Sequence, residues 1–178
     1  MRHRRVSRFE RMLPDILMAS PAVVVAAAML WLFTVGPMRD PRSALQDFYQ
    51  GEDRPEEQLC DPLILAGPRV VPLVIADLPK KGTPHRLNAI RFLGNGRYAR
   101  ALPALQQLLA DDQEYVTFRV EALRAIYQIS PGHALQLAPI YGYGRDQLAR
   151  VAADIAAHRD PGCWTRTYWQ ALRHQHSE

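Results

Sequence analysis

Cysteine is scarce in this chain: Cys60 and Cys163 are the only two among 178 residues. One disulfide is therefore the most the sequence allows. Metal-ligand spacing is equally thin, because His174-x-His176 near the C-terminus has no third and fourth ligand beside it. No stretch alternates apolar and polar residues with a period of two over strand length, so no sheet is expected. A phosphate-cradling Gly-x-Gly-x-x-Gly loop is missing too; Tyr141-Gly142-Tyr143-Gly144 lacks that spacing and a preceding strand, and reads as a turn. Cys163 has His158 and Asp160 close by in sequence, but the intervening Pro161-Gly162 turn forms no nucleophile motif. The expectation is a protein with no catalytic constellation, no metal and no cofactor.

A long apolar run is present. Ile16 to Gly36 gives 21 consecutive residues without a charge. As a helix it measures about 31 Å, against a bilayer hydrocarbon core of roughly 30 Å, so it is read as a single membrane span. The competing reading is a cleaved signal peptide cut after Ala26-Ala27-Ala28, which would leave a mature chain beginning Met29-Leu30-Trp31. Arg2, Arg4, Arg5, Arg8 and Arg11 precede the run, while Arg39, Arg42 and Arg54 follow it. The positive-inside rule then puts the N-terminus in the cytoplasm and the rest in the periplasm of a bacterial inner membrane. Five of the 22 basic and two of the 18 acidic residues precede the span, leaving 17 against 16 beyond it. The basic excess is thus a topology signal, and nucleic acid is not the expected partner.

The sequence divides into a basic stretch (1–15), the span (16–36), a polar, proline-interrupted juxtamembrane linker (37–58) and a helical domain (59–178). Within the linker, Ser43 to Tyr49 is read as a short helix with Ser43 as N-cap. The domain contains one unit written twice. Val71-Pro72-Leu73, Leu78, Arg86, Ala89, Ile90 and Leu93 reappear as Leu102-Pro103-Ala104, Leu109, Arg119, Ala122, Leu123 and Ile126. The offset is 31 residues in the first half and 33 in the second, the mark of a helical repeat array. Pro79 to Pro84, Gly94-Asn95-Gly96 and Ser130-Pro131-Gly132 supply the breaks. Segments 59–66 and 164–174 are the expected caps of the two ends.

These residues resemble the HEAT and HEAT-like repeats of α-solenoids. The resemblance implies an all-α fold, a short right-handed solenoid of about three hairpins behind the span, with a degenerate third unit over 132–158. It implies that Arg86 and Arg119 form an internal ladder with the inter-helix acids Asp77 and Asp111. It also implies a concave face lined by second helices, where Arg91, Arg97, Glu121 and Arg124 are candidate partner-binding positions. Trp164, Tyr168 and Trp169 have three readings: solenoid cap, protein anchor, or membrane-interface residues. Cys60 and Cys163 are either bonded or two free thiols, since sequence does not fix their separation. The function expected is a membrane-tethered scaffold or assembly subunit with protein partners. The alternative is an enzyme or enzyme auxiliary, since some HEAT-like families bind a tetrapyrrole.

Overall fold

The structure is a computed structural model that describes residues 40–175. The expected span 16–36, the basic stretch before it and His176 lie outside the described residues. Among the described residues all regular structure is helical, nine α-helices with no strand. None of these helices is long and apolar enough to cross a membrane.

The first helix, α1 (Pro41–Tyr49), lies inside the stretch expected to be a linker. Its N-cap is Asp40, not Ser43. Asp40 Oδ2 accepts the backbone N–H of Arg42 at 3.1 Å and of Ser43 at 2.9 Å, and Pro41 brings no N–H to satisfy. Ala44 and Phe48, one turn apart, are fully buried. Tyr49 Oη donates to Asp77 Oδ2 at 2.8 Å, tying α1 to a helix 28 residues on. The folded unit therefore begins well before residue 59, and α1 belongs to the same compact body as the helices that follow it. The polar composition had reported the exposed side of a short helix whose buried side is only two residues.

Next come α2 (Asp61–Ala66), α3 (Val71–Asp77), α4 (Arg86–Asn95), α5 (Leu102–Ala110), α6 (Val116–Ile129), α7 (Pro131–Tyr141), α8 (Gln147–Ala156) and α9 (Tyr168–Gln175). The repeated prolines Pro72 and Pro103 both fall in a first helical turn, where a missing N–H costs nothing. The repeated apolar residues are the core: Ile90, Leu93, Leu123 and Ile126 are fully buried, and Leu78 and Leu109 nearly so. Helices α4, α6 and α8 form one layer with α6 in the middle, while α5 packs on α6, and α7 on both α6 and α8. Gly94 permits the closest approach. A Cβ there would stand 2.7 Å from Ala125 Cα on α6, so only glycine lets α4 and α6 meet at that point.

The two segments expected to cap opposite ends meet each other instead. Helix α9 packs on α2, with Ala171 fully buried. Between them the chain leaves α8 through a left-handed His158 (φ 55°), passes Gly162 (φ 74°), and runs from Arg159 to Thr167 without regular structure. Repeat periodicity carries no information about the route of a tail that does not repeat.

Candidate functional site

Arg86 begins α4, Arg119 lies in the first turn of α6, and the two make the same tie in both units. Arg86 Nε donates to the carbonyl of Leu78 at 2.6 Å, and Arg119 Nε to that of Leu109 at 2.9 Å. Leu78 and Leu109 are repeat equivalents, so one bond closes both hairpins although the bonded residues are eight apart in the first unit and ten in the second. The acids differ from those expected. Asp77 pairs with Lys80 at 2.5 Å and accepts from Tyr49, while Asp111 accepts the backbone N–H of Gln113 at 2.9 Å. Hydrogen bonding from Lys80, then from Tyr49, holds the Asp77 carboxyl below its ordinary range. The arginines pair with later residues of the second loop: Arg86 Nη1 with Glu114 Oε2 at 2.6 Å, Arg119 Nη2 with Asp112 Oδ1 at 3.0 Å. The Arg86–Glu114 pair is buried on both sides, and Arg86 also lies 5.0 Å from the Phe118 ring centre. Because Glu114 belongs to the following unit, this pair joins one unit to the next.

The face formed by α4 and α6 holds the other expected residues. Arg91 and Arg124 stand at equivalent positions, 33 residues apart, on either side of buried Glu121. Arg124 Nη1 lies 2.8 Å from Glu121 Oε1, and Arg91 Nε lies 3.6 Å from Glu121 Oε2. Arg91 Nη1 further reaches Glu56 Oε1 at 2.6 Å. Burial opposes the Arg91 charge, but Glu121 and Glu56 outweigh it and hold its proton more tightly than usual. Arg91, Glu121 and Arg124 are thus internal ties, not the free surface groups the sequence suggested. Arg97 is exposed in the turn after α4, in left-handed backbone (φ 52°).

The tail from Pro161 to Arg166 lies across this face, and side chains of the second helices take up its carbonyls. Arg124 Nε donates to Pro161 O at 2.8 Å, Gln128 Nε2 to Trp164 O at 2.8 Å, and Asn95 Nδ2 to Arg166 O at 2.6 Å. The Arg166 N–H returns a bond to Asn95 Oδ1 at 3.0 Å, so one carboxamide satisfies both polar atoms of a residue's backbone. Arg166 also forms a two-pronged pair with Asp61, Nε to Oδ1 at 2.5 Å and Nη2 to Oδ2 at 2.8 Å. Hydrogen bonding to Asp61 raises the Arg166 pKa. Asp61 stands in the first turn of α2, where a carboxylate is also favoured by the helix dipole. Trp164 packs on the core as a cover, while Tyr168 and Trp169 remain exposed, edge to face with each other.

No family model, curated protein or solved structure matches this chain.

Asn95, Gln128 and Asp61 were missed at the level of sequence. The signal was present for two of them: Asn95 and Gln128 are both carboxamides at the 33-residue offset, four residues after Arg91 and Arg124. Nothing local marks the Asp61–Arg166 pair, whose members are 105 residues apart. The cysteines are free. The Cys60 thiol donates to Asn88 O at 3.4 Å and the Cys163 thiol to Arg124 O at 3.7 Å, each toward a different carbonyl. Burial, reinforced by Asp61, pushes the Cys60 thiol up to about 12; burial and Asp160 push Cys163 up to about 11. Both are poor nucleophiles near neutral pH.

Proposed function

We propose that this chain is a membrane-tethered helical-repeat interaction protein, a short HEAT-like α-solenoid whose second-helix face holds an extended protein segment. The single observation that carries the reading is the tail of the chain held across α4 and α6 by Asn95, Gln128 and Arg124, three side chains drawn from a repeated row. Carboxamides and guanidiniums donating to backbone carbonyls hold a polypeptide whatever its side chains are, which is the chemistry of a peptide-docking surface and not of a reaction centre. The stacking of α4, α6 and α8 supports the solenoid. The apolar run 16–36 and the arginines before it support a single-pass inner-membrane anchor with the helical unit in the periplasm.

Tetrapyrrole binding finds less support. A cavity of about 170 Å³ lined by Leu78, Arg86, Leu108 and Glu114 falls below the roughly 300–1,000 Å³ of ordinary ligand clefts. Two measurements test the proposal. A C-terminal alkaline phosphatase fusion is expected to be active in a bacterial host, and an inactive fusion overturns the topology. Affinity capture of the full-length chain from native membranes, followed by mass spectrometry, is expected to return membrane-associated proteins in stoichiometric amounts; coloured or metal-bearing material and no protein overturns the interaction role.

A further inference from the structure

The face of α2, α4 and α6 meets its own tail with two kinds of contact, and they divide the work of recognition. Three carbonyls, those of Pro161, Trp164 and Arg166, are held by side chains that cannot distinguish one residue from another. Two tail side chains are read by charge and size, beside a buried Pro161 and the Cys163 thiol that donates to Arg124 O at 3.7 Å. Arg166 enters the fork of Asp61, with both partners largely shielded from solvent, and Trp164 lies against the core. Thr165 and Thr167 are exposed, so the face places no demand on them, whereas the left-handed backbone of Gly162 (φ 74°) favours glycine there. The requirement is a large aromatic residue two positions before an arginine, in a segment that enters through a proline-glycine pair.

We propose that this face is a docking site for such an aromatic-x-arginine segment of a partner protein, and that residues 161–166 fill it in the free chain as a resident substitute. The inference rests on the interaction role proposed above and names the segment that role requires. The tail's backbone bonds go to side chains of other helices and not to a neighbouring strand, so it can leave without breaking a sheet or a helix. The chain turns into it at left-handed His158 and carries a second left-handed residue, Gly162, within it. While it is seated, its tethering gives it a local concentration in about the millimolar range, so a partner segment competes against an always present ligand.

The test uses the full-length chain and a fluorescent peptide with the sequence of residues 160–169, followed by anisotropy. Removing the resident arginine, Arg166→Ala, is expected to tighten peptide binding at least about 10-fold over wild type, because the competitor is weakened. A peptide carrying alanine in place of its arginine is expected to bind Arg166→Ala about 10–100-fold more weakly, the range for loss of a charge-assisted hydrogen bond. Adding Asn95→Ala and Gln128→Ala to Arg166→Ala is expected to abolish binding. Absence of peptide binding by Arg166→Ala, or equal binding of the alanine peptide, overturns the proposal. A wild-type dimer that Arg166→Ala dissolves also overturns it, since a second copy would then be the occupant. Should Arg166→Ala fail to fold, amide hydrogen exchange on the wild type decides: residues 162–167 exchanging far faster than α6 supports a releasable tail, and exchange only on global unfolding overturns it. Membrane proteins captured equally by wild type and by the triple variant would keep the interaction role and overturn this site alone; peptide binding with no protein captured would do the reverse.

Discussion

Arg86→Met is the substitution whose cost the structure fixes best. Its partner Glu114 has a side chain only 3% exposed, and Arg86 itself is 5% exposed. Methionine approximates the arginine stem but leaves the Glu114 carboxylate without its cation and the Leu78 carbonyl without its donor. Breaking one side of a buried ion pair costs about 3–5 kcal/mol, mainly the desolvation of the charge left behind. At this chain length about 3 °C of Tm accompanies each kcal/mol, so thermal unfolding followed by circular dichroism is expected to shift down by about 9–15 °C. The equivalent change Arg119→Met provides the contrast. Asp112 is 82% exposed, so that pair contributes little and the lost bond to Leu109 O dominates, about 1 kcal/mol and about 3 °C. The double variant Arg86→Met with Glu114→Leu removes both charges and is expected to recover most of the single-variant loss. Equal losses for Arg86→Met and Arg119→Met, or a double variant as unstable as Arg86→Met, would refute the assignment of Arg86 as a buried tie between units.

Two glycines bracket the packing argument: Gly94→Ala drives a Cβ into Ala125 of α6 and is expected to cost about 1–3 kcal/mol in urea unfolding. Gly132→Ala, in the first turn of α7 with open space around it, is expected to stabilise by about 0.5–1 kcal/mol; a loss there would show that α7 is placed wrongly. Asp40→Ala removes the α1 cap and is expected to cost about 1 kcal/mol, with no change if the stretch is an unfolded linker. Below about pH 8, iodoacetamide should label native Cys60 about a thousandfold and Cys163 about a hundredfold more slowly than the urea-unfolded chain; equal rates would contradict their burial. Because folding raises both thiols, their stabilising contribution is complete below the unfolded value of 9.0 and is lost as pH rises above it.

Local signals in the sequence were legible. The repeated prolines fall in the first turns of α3 and α5, and the glycine and proline breaks fall between α3 and α4, at the end of α4 and at the junction of α6 and α7, because these features act over one or two turns. The roles of charged residues were read less well. Arg86 and Arg119 were recognised as internal ties, but their acids were assigned from nearby Asp77 and Asp111, whereas the ties use Glu114 and Asp112 across the second loop. Arg91, Glu121 and Arg124 lie on the face expected for them, yet each charge is answered by another, a balance that depends on which helices adjoin and not on sequence spacing. Trp164 illustrates the same limit: the segment 164–174 was expected as a cap, but residues 164–167 have no regular structure, and Gln128 and Asn95 take up the carbonyls of Trp164 and Arg166.

The Asp61–Arg166 contact spans nearly the whole folded unit in sequence, and that separation orders events in time. A ribosome adds about 5–20 residues per second, so α4 and α6 are complete some seconds before Arg166 exists to reach them. Covering of the second-helix face by the tail therefore waits for the last residues of the unit to be made, a late step in the assembly of the fold.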